Sequence, residues 1–386
     1  MPETTVLVTG ASGFLGKNLG AFLRLKANVQ VIRYDIGSPP EVLEEGLGEA
    51  DVIFHLAGVN RPQKVEEFAE VNTDFTAMLC EKLQTLDRRP AIIFSSSIQA
   101  DQDNPYGVSK RKAEERLLVF AQQTGARVVI FRLKNVFGKW CRPNYNSVVA
   151  TFCHNIAHDL PISISDPAKA LELVYVDDVC QAMLQAAGIE QQASNGPGGS
   201  TAGGYAEVVP VFTTTLGRLA ESIRSFRAFR QSLQVPAFDD LFLKNLYATY
   251  LSYLEPADFA YGLKVKTDNR GGLAEFLKSQ SLGQVFVSHT KPGVTRGNHY
   301  HHTKTEKFFV VQGRAVIRFR HILGGEVIEH YVSGREYKVV DIPPGYTHSI
   351  ENVSDEELVT FFWADEVFDP ERPDTFFEEV VKEAGS

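Results

Sequence analysis

The sequence predicts a doubly wound, mostly parallel α/β sheet followed by an all-β jelly roll or barrel. Three observations carry that expectation. Short apolar runs alternate with amphipathic helical stretches through the first half. A glycine-rich turn, Gly10-Ala11-Ser12-Gly13-Phe14-Leu15-Gly16, joins the first apolar run to the first helix. After residue 254 the pattern changes to β-type runs at hairpin spacing. At 386 residues the chain also exceeds what one hydrophobic core usually supports. Two domains are therefore expected, 1–254 and 255–386.

The runs at 6–9, 29–32, 52–56, 91–95 and 128–131 are short and mostly apolar, as buried parallel strands are. Helical spacing marks 14–25, 65–85, 110–123 and 216–229. The Gly-rich segment 196–204 reads as a flexible insertion. In the second half, strands are expected at 284–288, 308–311, 315–320, 327–332, 337–342 and 358–363, with Gly324-Gly325 as a hairpin turn.

The 39 Lys and Arg residues are outnumbered by 48 Asp and Glu, a formal charge of −9. That balance argues against a general nucleic-acid binder. The four cysteines are scattered without a CxxC pair, so reduced thiols are expected. Met1-Pro2-Glu3-Thr4-Thr5 runs straight into Val6-Leu7-Val8, too short for a secretory h-region. No apolar run approaches the roughly 20 residues that span a bilayer. A cytoplasmic protein without membrane attachment is expected.

The glycine turn follows a strand and opens a helix, which lets backbone approach a pyrophosphate at the positive helix end. Gly10, Ser12, Gly13, Phe14 and Gly16 are therefore candidate dinucleotide contacts. Arg33 and Asp35 lie just past the second strand, where the adenosine ribose is discriminated. Arg33 suits a 2′-phosphate and Asp35 a 2′-hydroxyl; the balance favours NADPH over NADH. Tyr106 and Lys110 share a helix face at i,i+4, and a nearby ammonium lowers a phenol pKa. The strand ending in Ser95-Ser96-Ser97 offers a hydroxyl for the same carbonyl oxygen.

Together with His55-Leu56-Ala57-Gly58, Asn72, Arg132, Asn135-Val136-Phe137-Gly138 and Tyr175-Val176-Asp177-Asp178, these motifs resemble the extended short-chain dehydrogenase/reductase family over residues 1–250. The resemblance implies a Rossmann-type domain, with Leu56, Ala57, Gly58 and Lys110 beside the cofactor. It implies Ser97, Tyr106 and Lys110 as the catalytic set, with Ser96 as a substitute for Ser97. Only nine positions separate Ser97 from Tyr106, tighter than the family usually shows. Ile98-Gln99 replaces the Asp-Glu pair of the family's sugar dehydratases, which argues against dehydration.

Residues 293–313 carry His299, His301 and Glu306, and His348 follows in Pro343-Pro344-Gly345-Tyr346-Thr347-His348. On a strand, i and i+2 share a face, so His299 and His301 can chelate together. A turn through 302–305 returns Glu306 to the same point. The N₃O set suits Zn²⁺, Fe²⁺, Mn²⁺ or Ni²⁺. The spacing resembles both cupin motifs, except that Tyr337 stands at the second motif's leading glycine. Arg296-Gly297-Asn298-His299-Tyr300 also resembles the segment of cupin-type sugar epimerases in which the histidine is a general base, with Lys307 a second polar group. His299 is thus a candidate ligand or a candidate base. His302 and His289 are spare candidates for proton transfer.

Over essentially the whole chain the combination resembles bifunctional capsular-polysaccharide UDP-sugar enzymes of the UDP-N-acetyl-L-fucosamine pathway. That resemblance implies C3 epimerisation of a UDP-2-acetamido-2,6-dideoxy-4-hexulose by the cupin domain, then NADPH-dependent reduction of the C4 ketone. It further implies a homodimeric zinc protein. Trp140, Arg142 and Asn144 are hypothesised to line the sugar-nucleotide pocket, with surface-loop residues the other reading. Two alternatives remain: a single-activity reductase whose metal-bound cupin serves dimerisation or sugar binding, and an NAD-dependent 4-epimerase.

Overall fold

The computed structural model describes residues 3–190 and 204–382. Apart from Gly204, the segment 196–204 expected as a flexible insertion lies outside the described residues. The chain divides into two compact units, Met1–Arg224 with Asn245–Leu254, and Ser225–Lys244 with Glu255–Ser386.

In chain order the first part contains β1 (Thr4–Thr9), α1 (Phe14–Leu23), β2 (Val29–Tyr34), α2 (Pro40–Glu49), β3 (Val52–His55), α3 (Phe75–Thr85), β4 (Ala91–Ser97) and α4 (Pro105–Thr124). There follow β5 (Val128–Leu133), β6 (Asn135–Phe137), α5 (Val148–Ala157), β7 (Ala170–Tyr175), α6 (Val176–Ala186), β8 (Gly204–Ala206), β9 (Phe212–Thr215), α7 (Leu216–Ser232) and α8 (Leu241–Leu251). The main sheet has the order β2-β1-β3-β4-β5-β8 and is parallel throughout. Alternation along β1 sends Val6 and Val8 into one core with Phe54 and α1/α6 side chains. Leu7 enters the opposite core with Ile53, Ile92 and residues of α2, α3 and α4. A strand packed on both faces has no polar side to show, which is why these runs read as mostly apolar. Truncating wholly buried Phe54 to Ala would cost about 3–5 kcal/mol.

The strand order reverses between β1 and β3, and doubly wound sheets bind ligands beyond the carboxyl ends at such a point. The helix expected over 65–85 is interrupted. Ala69–Asp74 forms a π-helical turn before α3, a widening that helical periodicity does not reveal.

The second unit is antiparallel. Its strands are β10 (Val265–Asp268), β11 (Gly271–Ser279), β12 (Gly283–Thr290), β13 (Thr295–Tyr300), β14 (Glu306–Gln312) and β15 (Arg314–His321). β16 (Ile328–Ser333), β17 (Val339–Ile342), β18 (Tyr346–Asn352), β19 (Leu358–Ala364) and β20 (Phe376–Phe377) complete it. One sheet runs β10-β11-β12-β19-β14-β17 and the other β16-β15-β18-β13-β20. Phe308, Val310 and Phe362 from the first meet Ile317, Phe319 and Ile350 from the second, the inner faces of a jelly roll. Gly324-Gly325 lies in the loop that joins β15 to β16, with φ of +108° and +125°.

Candidate functional site

The glycine turn leaves β1 and enters α1 as expected. Gly10 adopts φ +71°, and a Cβ there would lie 2.7 Å from the Ala57 amide nitrogen. The turn is thus pressed against the Leu56-Ala57-Gly58 loop at the end of β3, and this bare backbone cradle fits a dinucleotide pyrophosphate. Asp35 accepts from the Ser12 amide at 2.9 and 3.0 Å and from its hydroxyl at 2.8 Å. The exposed Arg33 guanidinium donates to the Ala11 carbonyl at 3.0 Å. Both charges named for ribose discrimination therefore brace the turn that carries Gly13, Phe14 and Gly16.

Ser97 ends β4, and a 3₁₀ turn, Ile98–Asp101, folds the chain back at once. Asn104 caps α4 by accepting from the Gly107 amide at 2.8 Å, and Pro105 occupies the first turn. Gly107 has no room for a side chain, since a Cβ would lie 2.1 Å from the Gln99 carbonyl oxygen. With this close approach across nine positions, the Ser97 hydroxyl is near enough to influence the Tyr106 phenol.

Burial raises the Tyr106 pKa above its ordinary value, and the Ser97 hydroxyl opposes it. Lys110 is buried and donates to the Ser95 carbonyl at 2.8 Å. Burial lowers it to about 8, with Glu114 acting in the opposite sense. Ser96, the substitute for Ser97, is instead hydrogen-bonded to Glu114. Glu114 is itself buried and paired with Arg132 at 2.6 Å.

Asn72, on the π-helical turn, exchanges hydrogen bonds with Val59 at 2.9 and 3.0 Å and donates to Ser109 at 2.9 Å. It ties the loop after β3 to α4, a bracing role that no spacing announced. Glu114 was also missed, although its position at i+4 from Lys110 was available as a signal. Trp140 and Asn144 take positive φ of +67° and +53°, and Arg142 lies 5.0 Å from the Tyr145 ring. Non-glycine residues held in that backbone region concentrate at functional sites.

In the second unit, the ligand atoms of His299, His301, Glu306 and His348 all lie within 4.8 Å of one another. β13 and β18 are adjacent strands, and His299 faces His348 directly in their register. A bulge separates Gly297 from His299, with Asn298 at φ +59°. β13 ends at Tyr300, so His301 stands just beyond it, where an unbroken strand pair was expected. The Gly345 amide donates to the His301 carbonyl at 2.9 Å and joins the two motif segments.

His301 Nδ1 lies 2.5 Å from the Asp374 carbonyl and His348 Nδ1 3.4 Å from the Tyr346 carbonyl. Their buried Nε2 atoms have no hydrogen-bond partner and lie 3.4 and 3.6 Å from Glu306 Oε2. Carbonyls only accept, so Nδ1 of each ring carries a proton and Nε2 is the atom turned toward the carboxylate. Imidazole nitrogens and a carboxylate oxygen that converge in this way fit a cation. Burial and then His348 and His301 lower His299 to about 4, which keeps it a neutral imidazole. Burial opposes ionisation of Glu306, but His301 and His348 outweigh it and hold the carboxyl well below the usual range.

Lys307 is exposed and paired with Asp341 on β17, whereas Glu306 beside it points into the constellation. His289 is exposed beside Glu357 at 3.5 Å, and His302 is exposed against Tyr300 and Phe376. Neither belongs to the constellation. No helix among the described residues is long and apolar enough to cross a membrane.

Sheet order, glycine turn and the Ser97/Tyr106 pair define an enzyme of the NAD(P)-dependent epimerase/reductase class, joined to a cupin-type jelly roll. Residues 6–197 match the NAD dependent epimerase/dehydratase family and residues 266–376 the polysaccharide biosynthesis C-terminal domain. The chain is 44% identical over 371 residues to the UDP-2-acetamido-2,6-beta-L-arabino-hexul-4-ose reductase of Pseudomonas aeruginosa, covering 96% of this chain and 97% of that one. A crystal structure of the capsular polysaccharide assembling protein CapF from Staphylococcus aureus superposes with a TM-score of 0.88 at 46% identity, over 97% of this chain and 100% of that chain. The Bordetella bronchiseptica enzyme WbmF in complex with NAD+ shares the fold alone, with a TM-score of 0.52 at 21% identity over 65% of this chain and 92% of that one. The chain belongs to the capsular-polysaccharide nucleotide-sugar epimerase/reductase family that includes the Pseudomonas reductase and CapF.

Proposed function

We propose that the protein is a bifunctional nucleotide-sugar enzyme that epimerises C3 of a UDP-2-acetamido-2,6-dideoxy-4-hexulose and then reduces its C4 ketone. The observation that carries the reductive half is the Ser97 hydroxyl acting on the Tyr106 phenol, at the end of a dinucleotide-type sheet. Ser97 orients the C4 carbonyl, and Tyr106 gives its proton to the C4 oxygen as hydride arrives at carbon. NADPH, when bound, supplies that hydride. Lys110, held on the Ser95 carbonyl, places positive charge one helical turn from the phenol and beside the nicotinamide ribose. Gly10, Ser12, Gly13, Phe14, Gly16, Leu56, Ala57 and Gly58 form the dinucleotide seat, and Arg33 is the residue for the 2′-phosphate. Trp140, Arg142 and Asn144 line the sugar-nucleotide side.

In the jelly roll, a C4 ketone acidifies the C3 proton, and removal of that proton places negative charge on oxygen. His299, His301, Glu306 and His348 would hold a divalent metal, zinc by the donor set. Such a metal, when bound, supplies positive charge to that oxyanion. An imidazole lowered to about 4 is a weak base, which supports His299 as ligand over His299 as base. Reduction at C4 then makes the new C3 configuration permanent, because the acidifying ketone is gone. The same reading makes the protein a cytoplasmic homodimer, on the strength of the family resemblance and four cysteines that remain free thiols.

Incubation with NADPH and the UDP-4-hexulose in D₂O tests both halves. NADPH oxidation with one deuterium at C3 is expected. No oxidation overturns the reductase assignment, and no deuterium overturns the epimerase assignment. Turnover without net cofactor oxidation would point to a 4-epimerase. One observation favours a single-activity reductase with a non-catalytic metal-bound cupin: Lys307, the second polar group expected in the pocket, is engaged by Asp341 instead.

A further inference from the structure

We propose that Asp374 is a positioning residue for the metal site, acting through His301. This rests on the reading that His299, His301, Glu306 and His348 hold a divalent cation. The Asp374 carboxylate caps the turn that follows His301. Its Oδ1 accepts from the His302 amide at 2.9 Å, and its Oδ2 from the Thr303 and Lys304 amides, both at 2.9 Å. Oδ2 also accepts from the Thr303 hydroxyl at 3.1 Å. The main-chain oxygen of the same residue lies 2.5 Å from His301 Nδ1.

Because a carbonyl cannot donate, Nδ1 must carry a proton, which leaves Nε2, 3.4 Å from Glu306, as the atom a metal would take. A single residue thus fixes the backbone after His301 and the orientation of its ring. Buried Lys304 holds the strap from the other side, donating to the Pro373 carbonyl at 2.9 Å and to the Thr375 hydroxyl at 3.1 Å. Asp374 itself sits at φ +39°, a left-handed conformation that aspartate tolerates better than most residues. Such a conformation persists where the surroundings over-determine it, and four hydrogen bonds to one carboxylate do so here.

The test compares zinc affinity, by competition with a chromophoric chelator, and the visible absorption bands of the cobalt-loaded protein. Asp374→Ala removes all four carboxylate hydrogen bonds and is expected to weaken zinc binding about 10–100-fold and to shift the cobalt bands. Asp374→Asn keeps the backbone preference and one acceptor oxygen, so its affinity should fall in between; it decides the matter if the alanine variant does not fold. Arg320→Lys is the control. Arg320 donates to Val380 and Glu379 carbonyls and to Glu378, so its loss loosens the C-terminal strap away from the His302–Lys304 amides. Arg320→Lys should lower the melting temperature and leave zinc affinity unchanged. Parental affinity in both Asp374 variants, or an equal loss in Arg320→Lys, overturns the proposal. A parent chain that binds neither zinc nor cobalt sinks the metal reading itself, a distinct failure.

Discussion

Lys110 donates its side-chain hydrogen bond to the main-chain oxygen of Ser95, 2.8 Å away and two residues before Ser97 on the same strand. Burial lowers this lysine to about 8, and Glu114 opposes the shift. Reductive turnover is therefore expected to fall as pH rises through about 8, where Lys110 loses its charge. Glu114→Gln should move that limb to lower pH, because the opposing influence is gone; pH–rate profiles of NADPH oxidation check it. In stability the sign is reversed. Between about 8 and the ordinary 10.5 the unfolded chain binds the additional proton, so the Lys110 contribution to stability rises with pH across that window.

Tyr106→Phe removes the proton donor and leaves the fold intact. Reduction should slow by about 10²–10⁴-fold. Deuterium should still enter C3 in D₂O, since that chemistry is assigned to the second unit. Loss of both activities would contradict separate sites.

Gly107→Ala places a methyl group 2.1 Å from the Gln99 carbonyl and 2.5 Å from that of Gln102. The start of α4 must shift, at a cost of about 1–3 kcal/mol. The Ser97–Tyr106 approach should widen, so kcat is expected to drop while the Kd for NADPH changes little. Denaturant unfolding and cofactor titration separate the two effects.

Metal removal should act on one half of the chemistry. Exhaustive chelation, or His348→Ala, is expected to abolish C3 exchange while reduction of a sugar already carrying the product C3 configuration continues. Restored zinc should raise the melting temperature in a concentration-dependent way, since 100-fold excess over Kd contributes about 2.7 kcal/mol. Calorimetry with and without zinc measures it.

Tyr337 is held at φ +49° and is 77% exposed, so little packing is lost with its ring. Tyr337→Gly should stabilise the protein by about 0.5–1 kcal/mol, as relief of left-handed strain outweighs the chain entropy of glycine. A raised denaturant midpoint with unchanged slope is the expected reading.

Much of the site was legible in the sequence because its chemistry is written at short range. The glycine turn, the Tyr106/Lys110 spacing and the His299/His301/Glu306 cluster each span a few turns or one hairpin. Local geometry alone then dictates which residues meet. The two-sided burial of the sheet was equally plain in its mostly apolar runs. What failed did so where geometry departs from the regular period: the π-helical turn before α3, and the bulge and early end of β13, with His301 past the strand.

The sequence by itself determined the two fold types, the glycine turn between β1 and α1 and the identity of the four metal-type side chains, since periodicity and fixed spacing encode them. The tertiary structure decided the rest. It showed that Gly107 packs against the Gln99 carbonyl, that Arg132 holds Glu114, that Lys307 is engaged by Asp341, and that Asp374 clamps His301 from 73 positions away. Contacts between distant residues leave no periodic trace in a single chain. They exist only once burial and register have brought those residues together.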